Sequence, residues 1–298
     1  MRRIAILLTC FNRRALTLQC LAALSAQRGV GDIERSIFLV DDGSADGTAE
    51  AVRARFPSVR VLYGDGTLFW NGGMRRAFAA ALQEDFDDYV LLNDDTILCP
   101  DALRRLIICA QEGMDAGKPA IVAGSIGSPA SQRVIYGGFA KYSARLAMSF
   151  KLVTTVHAAA LECDTMNGNW VLIPSAIAKT VGNLEPRFRH QFGDLDYGLR
   201  ARRAGFGMVL APGLFGTCRE NPVQGTWRDR AATFTKRWKH LLSPKGVPPR
   251  EWLLFTWRHY GWRWPLYAAS PFLKTTLMSG WFARAAASNP GVRATQRN

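Results

Sequence analysis

Two adjacent carboxylates, Asp94 and Asp95, follow a short apolar run at residues 89–92. Such a run is typical of a buried strand. Because neighbouring carboxylates repel each other, a buried strand end that carries both needs a counter-charge. Mg²⁺ and Mn²⁺ take oxygen ligands and bridge phosphates, so a divalent cation is one answer. An ordinary acidic corner between a strand and a turn is the other, and these residues alone favour neither.

A second acidic pair, Asp41 and Asp42, ends another predicted strand. The surrounding chain alternates strands and helices, which implies a parallel sheet with right-handed crossovers. Ligands of such sheets bind beyond the carboxyl ends of the strands, where both acidic pairs would lie. We therefore expect a site at this edge. The predicted elements are strands at 4–9, 36–40 and 59–63 and helices at 14–27 and 49–56.

A glycine-rich loop at residues 64–73 precedes a helix predicted over 74–83. Glycines let backbone amides approach an anion, and a helix N-terminus favours negative charge. Arg75 opposes the dipole of that helix, and a bound pyrophosphate would explain its position. A plain turn with Trp70 packed in the core is the alternative.

An Asn-Gly pair at 167–168 precedes Asn169, Trp170 and a strand predicted at 171–173. Asn-Gly before a strand is common in hairpins. The amide and the aromatic face would equally suit a sugar, and both interpretations stay open.

Asp194 and Asp196 begin a helix predicted over 194–204, just after His190. The helix dipole favours carboxylates in its first turn, and Gly205 suits its C-terminal end. Carboxylates in the first turn are common in charged helices and do not by themselves indicate a site. This pattern does not explain the unusual His-Gln-Phe-Gly sequence that precedes the acids.

Charge is unevenly distributed over the 298 residues. Residues 1–218 carry 24 basic and 21 acidic groups, whereas residues 219–298 carry 14 and 3 together with seven of the nine tryptophans. We therefore predict a near-neutral domain at 1–218 and a basic, Trp-rich helical extension at 219–298. No stretch approaches the ~18 apolar residues of a membrane span. The six cysteines form no CxxC pair, and we expect buried thiols in a reducing cytoplasm.

Four segments, taken in order, resemble glycosyltransferase family 2. They are Val-Asp-Asp-Gly-Ser at 40–44 with Asp-Gly-Thr at 46–48, Asn-Gly-Gly at 71–73, Leu-Asn-Asp-Asp-Thr at 92–96 and Gly-Asp-Leu-Asp at 193–196. The resemblance implies the GT-A fold, an α/β architecture whose Rossmann-like, mostly parallel sheet is flanked by helices.

The resemblance also implies residue roles. Asp42 would hydrogen-bond the nucleotide base, Asp94 would contact ribose or the metal shell, and Asp95 would coordinate Mn²⁺ or Mg²⁺. Asp194 would be the catalytic base, with Asp196 as the second candidate. Further nucleotide-sugar contacts would come from Thr9, Phe11, Arg13, Asn71, Gly72, Gly73 and Arg75. A pocket for the sugar or the acceptor would be lined by Trp70, Asn169, Trp170 and His190.

Two departures from the family pattern stand out. Gly193 replaces the glutamate of the usual Glu-Asp pair, so the base assignment rests on Asp194. No histidine follows the last core strand, near Cys218. The metal shell would then be completed by water or diphosphate oxygens, or metal dependence would be weak.

The extension alternates aromatic and basic residues, and a helix is predicted over 250–260. A basic amphipathic helix with tryptophan is typical of a membrane surface. Nucleic acid is a rival partner, since such residues also stack bases. Packing of the tryptophans on the domain or on a second subunit, giving a homodimer, is the third interpretation. We favour an anionic membrane surface and no nucleic acid, which implies a peripheral position at the cytoplasmic face of the plasma membrane.

We predict an inverting, metal-dependent hexosyltransferase that uses a UDP-, GDP- or dTDP-linked sugar. Its acceptor would be a glycan, lipid-linked in bacterial surface polysaccharide synthesis, and resemblance alone suggests rhamnose as the sugar. A sugar-phosphate nucleotidyltransferase would require a glycine- and lysine-rich signature near residues 7–14, which is missing. A basic nucleic-acid-binding protein is the non-enzyme alternative, and it predicts salt-sensitive binding that Asp95→Ala leaves unchanged.

Overall fold

The computed structural model describes residues 1–131, 133–144, 147–154 and 158–287. The chain divides into two compact units, Met1–Glu220 and Asn221–Asn298. This division lies close to the boundary expected after residue 218, while the roles assigned to the two parts stay predictions.

All strands that the structure describes belong to the first unit. In chain order they are β1 (Arg2–Cys10), β2 (Ile33–Asp41), β3 (Val59–Tyr63), β4 (Asp88–Leu92), β5 (Ile97–Leu98), β6 (Ala120–Gly127), β7 (Val134–Tyr136), β8 (Gly138–Ala144), β9 (Ala147–Leu152), β10 (Leu161–Glu162), β11 (Thr165–Met166), β12 (Trp170–Pro174) and β13 (Gly207–Thr217). The helices of this unit are α1 (Arg14–Ser25), α2 (Thr48–Arg55), α3 (Phe69–Ala81), α4 (Ala102–Asp115), α5 (Ser175–Val181) and α6 (Gly193–Arg203).

One ten-stranded sheet dominates the described part of the first unit. Its order is β10-β13-β6-β12-β4-β1-β2-β3, with β5 beside β13 and β7 beside β6. Strands β4, β1, β2 and β3 are mutually parallel, whereas β12 runs antiparallel to β4 and β6. Strands β11, β8 and β9 form a separate small sheet.

The buried run of β1 shows why helices cover both faces of the sheet. Successive side chains of a strand point to opposite faces. Ile4, Ile6 and Leu8 accordingly enter one core cluster, and Ala5 and Leu7 enter the other. The first cluster also receives side chains of α1 and α4, namely Cys20, Leu21, Leu24, Leu103 and Leu106. The second receives side chains of α3 and α6, namely Met74, Ala77, Phe78, Tyr197 and Ala201.

Helix α3 begins five residues earlier than predicted, at Phe69 instead of Met74. The predicted loop at 64–73 is therefore wrong in its second half. The backbone N–H of Phe69 donates to the Asp42 carboxylate at 3.0 Å. This contact satisfies a free amide at the start of the helix from a distant part of the chain, which local sequence does not indicate.

The second unit contains three α-helices among its described residues, α7 (Phe234–Leu241), α8 (Pro249–His259) and α9 (Trp264–Ala287), with a 3₁₀ turn at Gly261–Arg263. Helix α8 matches the helix expected at 250–260. None of the helices that the structure describes combines the length and apolar character that a bilayer-spanning segment needs.

Candidate functional site

The carboxyl ends of three parallel strands bring the predicted acidic residues to one edge of the sheet. Cys10 at the end of β1 pairs with Asp41 at the end of β2, and Leu7 pairs with Leu91 in β4. Strand β12 runs the opposite way, and its first residue, Trp170, lies opposite Leu92. The turn before β12 therefore lies at the same edge as both acidic pairs.

Asp42 organises the loop that leads into α3. It is 3% exposed, and its Oδ1 and Oδ2 atoms each accept a backbone N–H at 3.0 Å, from Gly66 and Phe69. Gly64 packs so closely that an added Cβ would lie 2.3 Å from Asp42 Oδ1. The carboxylate thus holds the loop in place, and its contact with a base stays a prediction.

Asp94 and Asp95 share one arginine. A single nitrogen of Arg13, Nη1, lies 3.2 Å from Asp94 Oδ1 and 2.7 Å from Asp95 Oδ2. Thr17 donates to the other oxygen of Asp94 at 3.4 Å. Burial raises the pKa of Asp94 to about 7; the Arg13 charge opposes the shift and the Asp95 charge adds to it. Arg13 therefore keeps two carboxylates together that would otherwise repel each other.

The residues around Asp95 fit a divalent cation in part. Its Oδ1 atom is buried and accepts no hydrogen bond of ordinary geometry within the described ranges. Burial and the Asp95 charge raise the pKa of the Cys218 thiol, which therefore lies beside this carboxylate. Across the same residues no group of three His, Cys, Asp or Glu side chains could hold a metal ion. Mg²⁺ is commonly held by one or two carboxylates plus substrate phosphates. A cation here would need oxygens that a substrate or water supplies.

Asp194 lies in the first turn of α6, where two backbone amides bind its carboxylate. Gly168 N–H donates to Oδ2 at 3.0 Å and Leu195 N–H donates to Oδ1 at 2.8 Å. Burial raises the pKa of Asp194 above its ordinary value, and these hydrogen bonds oppose the shift. A carboxylate with a raised pKa is better suited to accept a proton.

Trp70 connects the two acidic regions. Its Nε1–H donates to Asn93 Oδ1 at 2.7 Å, next to Asp94. Its ring packs on Gly168, where an added Cβ would lie 2.4 Å from the indole. Gly168 in turn binds Asp194. Trp70 thus positions Gly168 and, through it, Asp194. The sequence analysis did not identify Asn93 or Gly168 as site residues, although a buried indole N–H normally requires an acceptor.

Backbone strain concentrates at this edge. Within the described chain the non-glycine residues with positive φ are Asn12, Phe69 and Phe192, at 52°, 55° and 72°. They follow β1, begin α3 and precede α6. Left-handed conformations of such residues cost about 1–3 kcal/mol each and persist where surrounding structure fixes them.

Three predicted site residues are fully buried. Asn71 is fully buried, and its Nδ2 donates to the carbonyls of Glu185 and Phe188 at 2.9 and 2.6 Å. Asp196 is fully buried and paired with Arg200 at 2.8 Å, and its role as the second candidate base stays a prediction. Trp170 is fully buried and packs in the hydrophobic core.

The other predicted residues lie around the edge with varying exposure. Thr9 is buried against Gly73, where a Cβ would lie 2.0 Å from Thr9 Oγ1. The side chains that reach the surface or its margin are Phe11, Arg75 and His190, the last in edge-to-face contact with Phe69, and Gly72 is half-buried. Asn169 is 4% exposed, and its Nδ2 has no acceptor in the part of the chain that is described.

A family model described as glycosyltransferase-like family 2 matches residues 2–242. The chain is 32% identical over 115 residues to an N-acetylglucosaminyltransferase of Mesorhizobium japonicum, covering 36% of this chain and 25% of that protein. It is 27% identical over 235 residues to galactofuranosyltransferase GlfT2 of Mycolicibacterium smegmatis, covering 70% of this chain and 36% of that protein. The chain thus spans about a third or less of the length of these relatives.

Two solved structures share the fold. Mannosyltransferase PcManGT from Pyrobaculum calidifontis, in complex with GDP-Man and Mn²⁺, has a TM-score of 0.52 at 15% identity, covering 97% of this chain and 81% of that one. TarS of S. aureus has a TM-score of 0.54 at 12% identity, covering 88% of this chain and 44% of that one.

We expect Asn71→Ala to lower the free energy of unfolding by about 2 kcal/mol or more, because a buried carbonyl and a partly buried one lose their donor. Asn183→Ala, which removes a more exposed donor to the Arg75 carbonyl, should cost about 1 kcal/mol or less. Urea denaturation measures both. An Asn71→Ala protein with unchanged stability and weakened nucleotide binding would restore the ligand role.

Proposed function

Because the chain belongs to glycosyltransferase-like family 2, we propose that it is an inverting glycosyltransferase that uses a nucleotide-diphosphate sugar. The observation that carries the proposal is the meeting of Asp42, the Asp94–Asp95 pair and the segment that binds Asp194 at the carboxyl edge of a parallel sheet. Ligands of such sheets bind there.

The donor would lie beyond the ends of β1, β2 and β4. Asp95, whose Oδ1 accepts no hydrogen bond of ordinary geometry among the described residues, would hold Mn²⁺ or Mg²⁺ together with diphosphate oxygens. When bound, the cation would offset the negative charge that develops on the departing diphosphate. Asn169, whose buried Nδ2 lacks an acceptor among the described residues, would donate to the sugar or the diphosphate. A UDP-, GDP- or dTDP-linked hexose is the donor class, and dTDP-rhamnose is one member.

Asp194 would act as the base. Its carboxylate takes the proton of an acceptor hydroxyl while that oxygen forms a bond to the anomeric carbon. The bond from this carbon to the diphosphate breaks on the opposite face, and the nucleoside diphosphate leaves with the electron pair. One displacement inverts the anomeric configuration. The Gly168 and Leu195 amides fix the carboxylate, and Trp70 fixes Gly168.

The acceptor would be a lipid-linked bacterial glycan, reached at an anionic membrane surface. Residues 221–298 carry 13 basic and 2 acidic groups. Exposed apolar side chains accompany this charge at Leu253, Trp257, Trp262, Leu266, Leu273 and Leu277. Trp252 differs, because its indole donates to the carbonyls of Tyr267 and Ala268 and packs within the same unit. Basic residues beside exposed tryptophans suit an anionic interface.

Asp194→Asn should reduce sugar transfer by roughly 10²–10⁴-fold, because the proton acceptor is lost. Asp101→Asn, an exposed acid at the start of α4, should leave transfer unchanged. The wild-type rate should fall on the acid side, since protonated Asp194 cannot accept a proton. Because its pKa is raised, the midpoint should lie above about pH 4.

Product release from a panel of UDP-, GDP- and dTDP-sugars measures these rates. Bound nucleotide in Asp194→Asn shows that the site is intact. Undiminished transfer in Asp194→Asn would remove the base assignment. Retained anomeric configuration would contradict a single displacement.

We expect the protein to sediment with anionic phosphatidylglycerol vesicles and less with neutral phosphatidylcholine vesicles. A Trp257→Ala/Trp262→Ala double variant should bind the anionic vesicles on the order of tenfold more weakly, because two exposed indoles are removed. Tyr142→Ala, an exposed aromatic of the first unit, is the matched control. Unchanged vesicle binding by the double variant, or preferential binding of an RNA oligonucleotide, would contradict the membrane proposal.

A further inference from the structure

Arg13 already offsets part of the negative charge of the Asp94–Asp95 pair, to which a divalent cation would bind. It lies between the end of β1 and the start of α1, and its side chain is 43% exposed, whereas the side chains of Asp94 and Asp95 are 7% and 20% exposed. The charged end of a half-exposed side chain therefore reaches inward to two largely buried carboxylates. One nitrogen contacts both of them.

We propose that Arg13 is the resident counter-ion of the Asp94–Asp95 pair and keeps a bare divalent cation out until a nucleoside diphosphate arrives. The inference rests on the proposed function, since it assumes that the pair serves a nucleotide sugar. It adds a role for Arg13 beyond nucleotide contact, because this side chain sets the order in which the cation and the diphosphate bind.

Electrostatics supports exclusion of the bare cation. A guanidinium beside Asp95 Oδ2 places a positive charge next to any cation held by Oδ1, and unlike a water molecule it cannot serve as a ligand. The described residues supply no further cluster of metal-ligating side chains to offset this repulsion. Among the described residues, a bare Mn²⁺ would gain the Oδ1 atom of Asp95 without a cluster of further ligating side chains.

A nucleoside diphosphate changes both the ligands available to the cation and the partners available to Arg13. Its oxygens complete the shell of the cation, and its negative charges offer a new partner for Arg13, since guanidinium groups bind phosphate in bidentate geometry. Because the side chain of Arg13 is partly exposed, it can turn from the carboxylates to a phosphate without unfolding a buried segment. The exchange releases Asp94 and Asp95 when the cation arrives with its ligands.

Arg14 offers a matched control one residue away. Its backbone N–H donates to Asp46, and the structure places its guanidinium near Gly47. Loss of either arginine removes one positive charge from the same segment. Only loss of Arg13 removes the contact with the acid pair.

The test is a Mn²⁺ titration followed by electron paramagnetic resonance of the free ion, with the nucleotide-free protein at pH 8. Arg13→Gln should bind Mn²⁺ on the order of tenfold more tightly than wild type, because a neighbouring positive charge is gone. Arg14→Gln should match wild type. Saturating UDP, GDP or dTDP should tighten Mn²⁺ binding of the wild type more than that of Arg13→Gln.

Equal or weaker Mn²⁺ binding by Arg13→Gln in a folded protein would overturn the inference. Arg13→Lys keeps the positive charge and should bind Mn²⁺ as weakly as wild type does. This variant tests the inference if Arg13→Gln fails to fold. Tight Mn²⁺ binding by Arg13→Lys would then overturn the inference. No sugar transfer is needed for these measurements. Failed transfer beside the expected Mn²⁺ result would contradict the proposed function alone.

Discussion

The repulsion between Asp94 and Asp95 is the constraint on which the arrangement of this edge depends. Both follow a fully buried strand, and burial raises the pKa of Asp94 to about 7. The two carboxylates stay together because Arg13 reaches them from the end of the adjacent parallel strand. The parallel pairing of β1 and β4 therefore supplies the counter-charge as well as the site. An arginine, unlike a metal ion, remains attached to the chain when no ligand is present.

A second chain of contacts connects separate elements at this edge of the sheet. The link from Asn93 through Trp70 and Gly168 to Asp194 joins the acid pair to the first turn of α6. The same packing explains why Gly193 stands where the family resemblance leads one to expect glutamate. An added Cβ at position 193 would lie 1.7 Å from Asn71 Oδ1. The buried amide that ties α3 to residues 185–188 therefore leaves no space for a side chain beside Asp194.

Periodicity and motif order predicted the architecture because the strands are continuous apolar runs with acids at their carboxyl ends. The family and the fold inferred from four segments are confirmed by the family match and the fold neighbours. Exposure was harder to predict. Asn71 and Trp170 have the chemistry of sugar-binding residues, yet both are fully buried. Their burial results from contacts with residues that are distant in sequence, so the residues around each position do not predict it. The early start of α3 has the same origin, since Asp42 supplies its first acceptor.

The central claim is that this edge binds a nucleoside diphosphate together with a divalent cation. Thermal unfolding with UDP, GDP, dTDP and CMP, each with and without Mn²⁺, tests it most directly. A ligand that binds only the folded state at a hundredfold excess over its Kd adds about 2.7 kcal/mol of stability. The account predicts a Mn²⁺-dependent rise in Tm with one of the nucleoside diphosphates, lost in Asp95→Ala. No rise with any nucleotide, or an equal rise in Asp95→Ala, would contradict it.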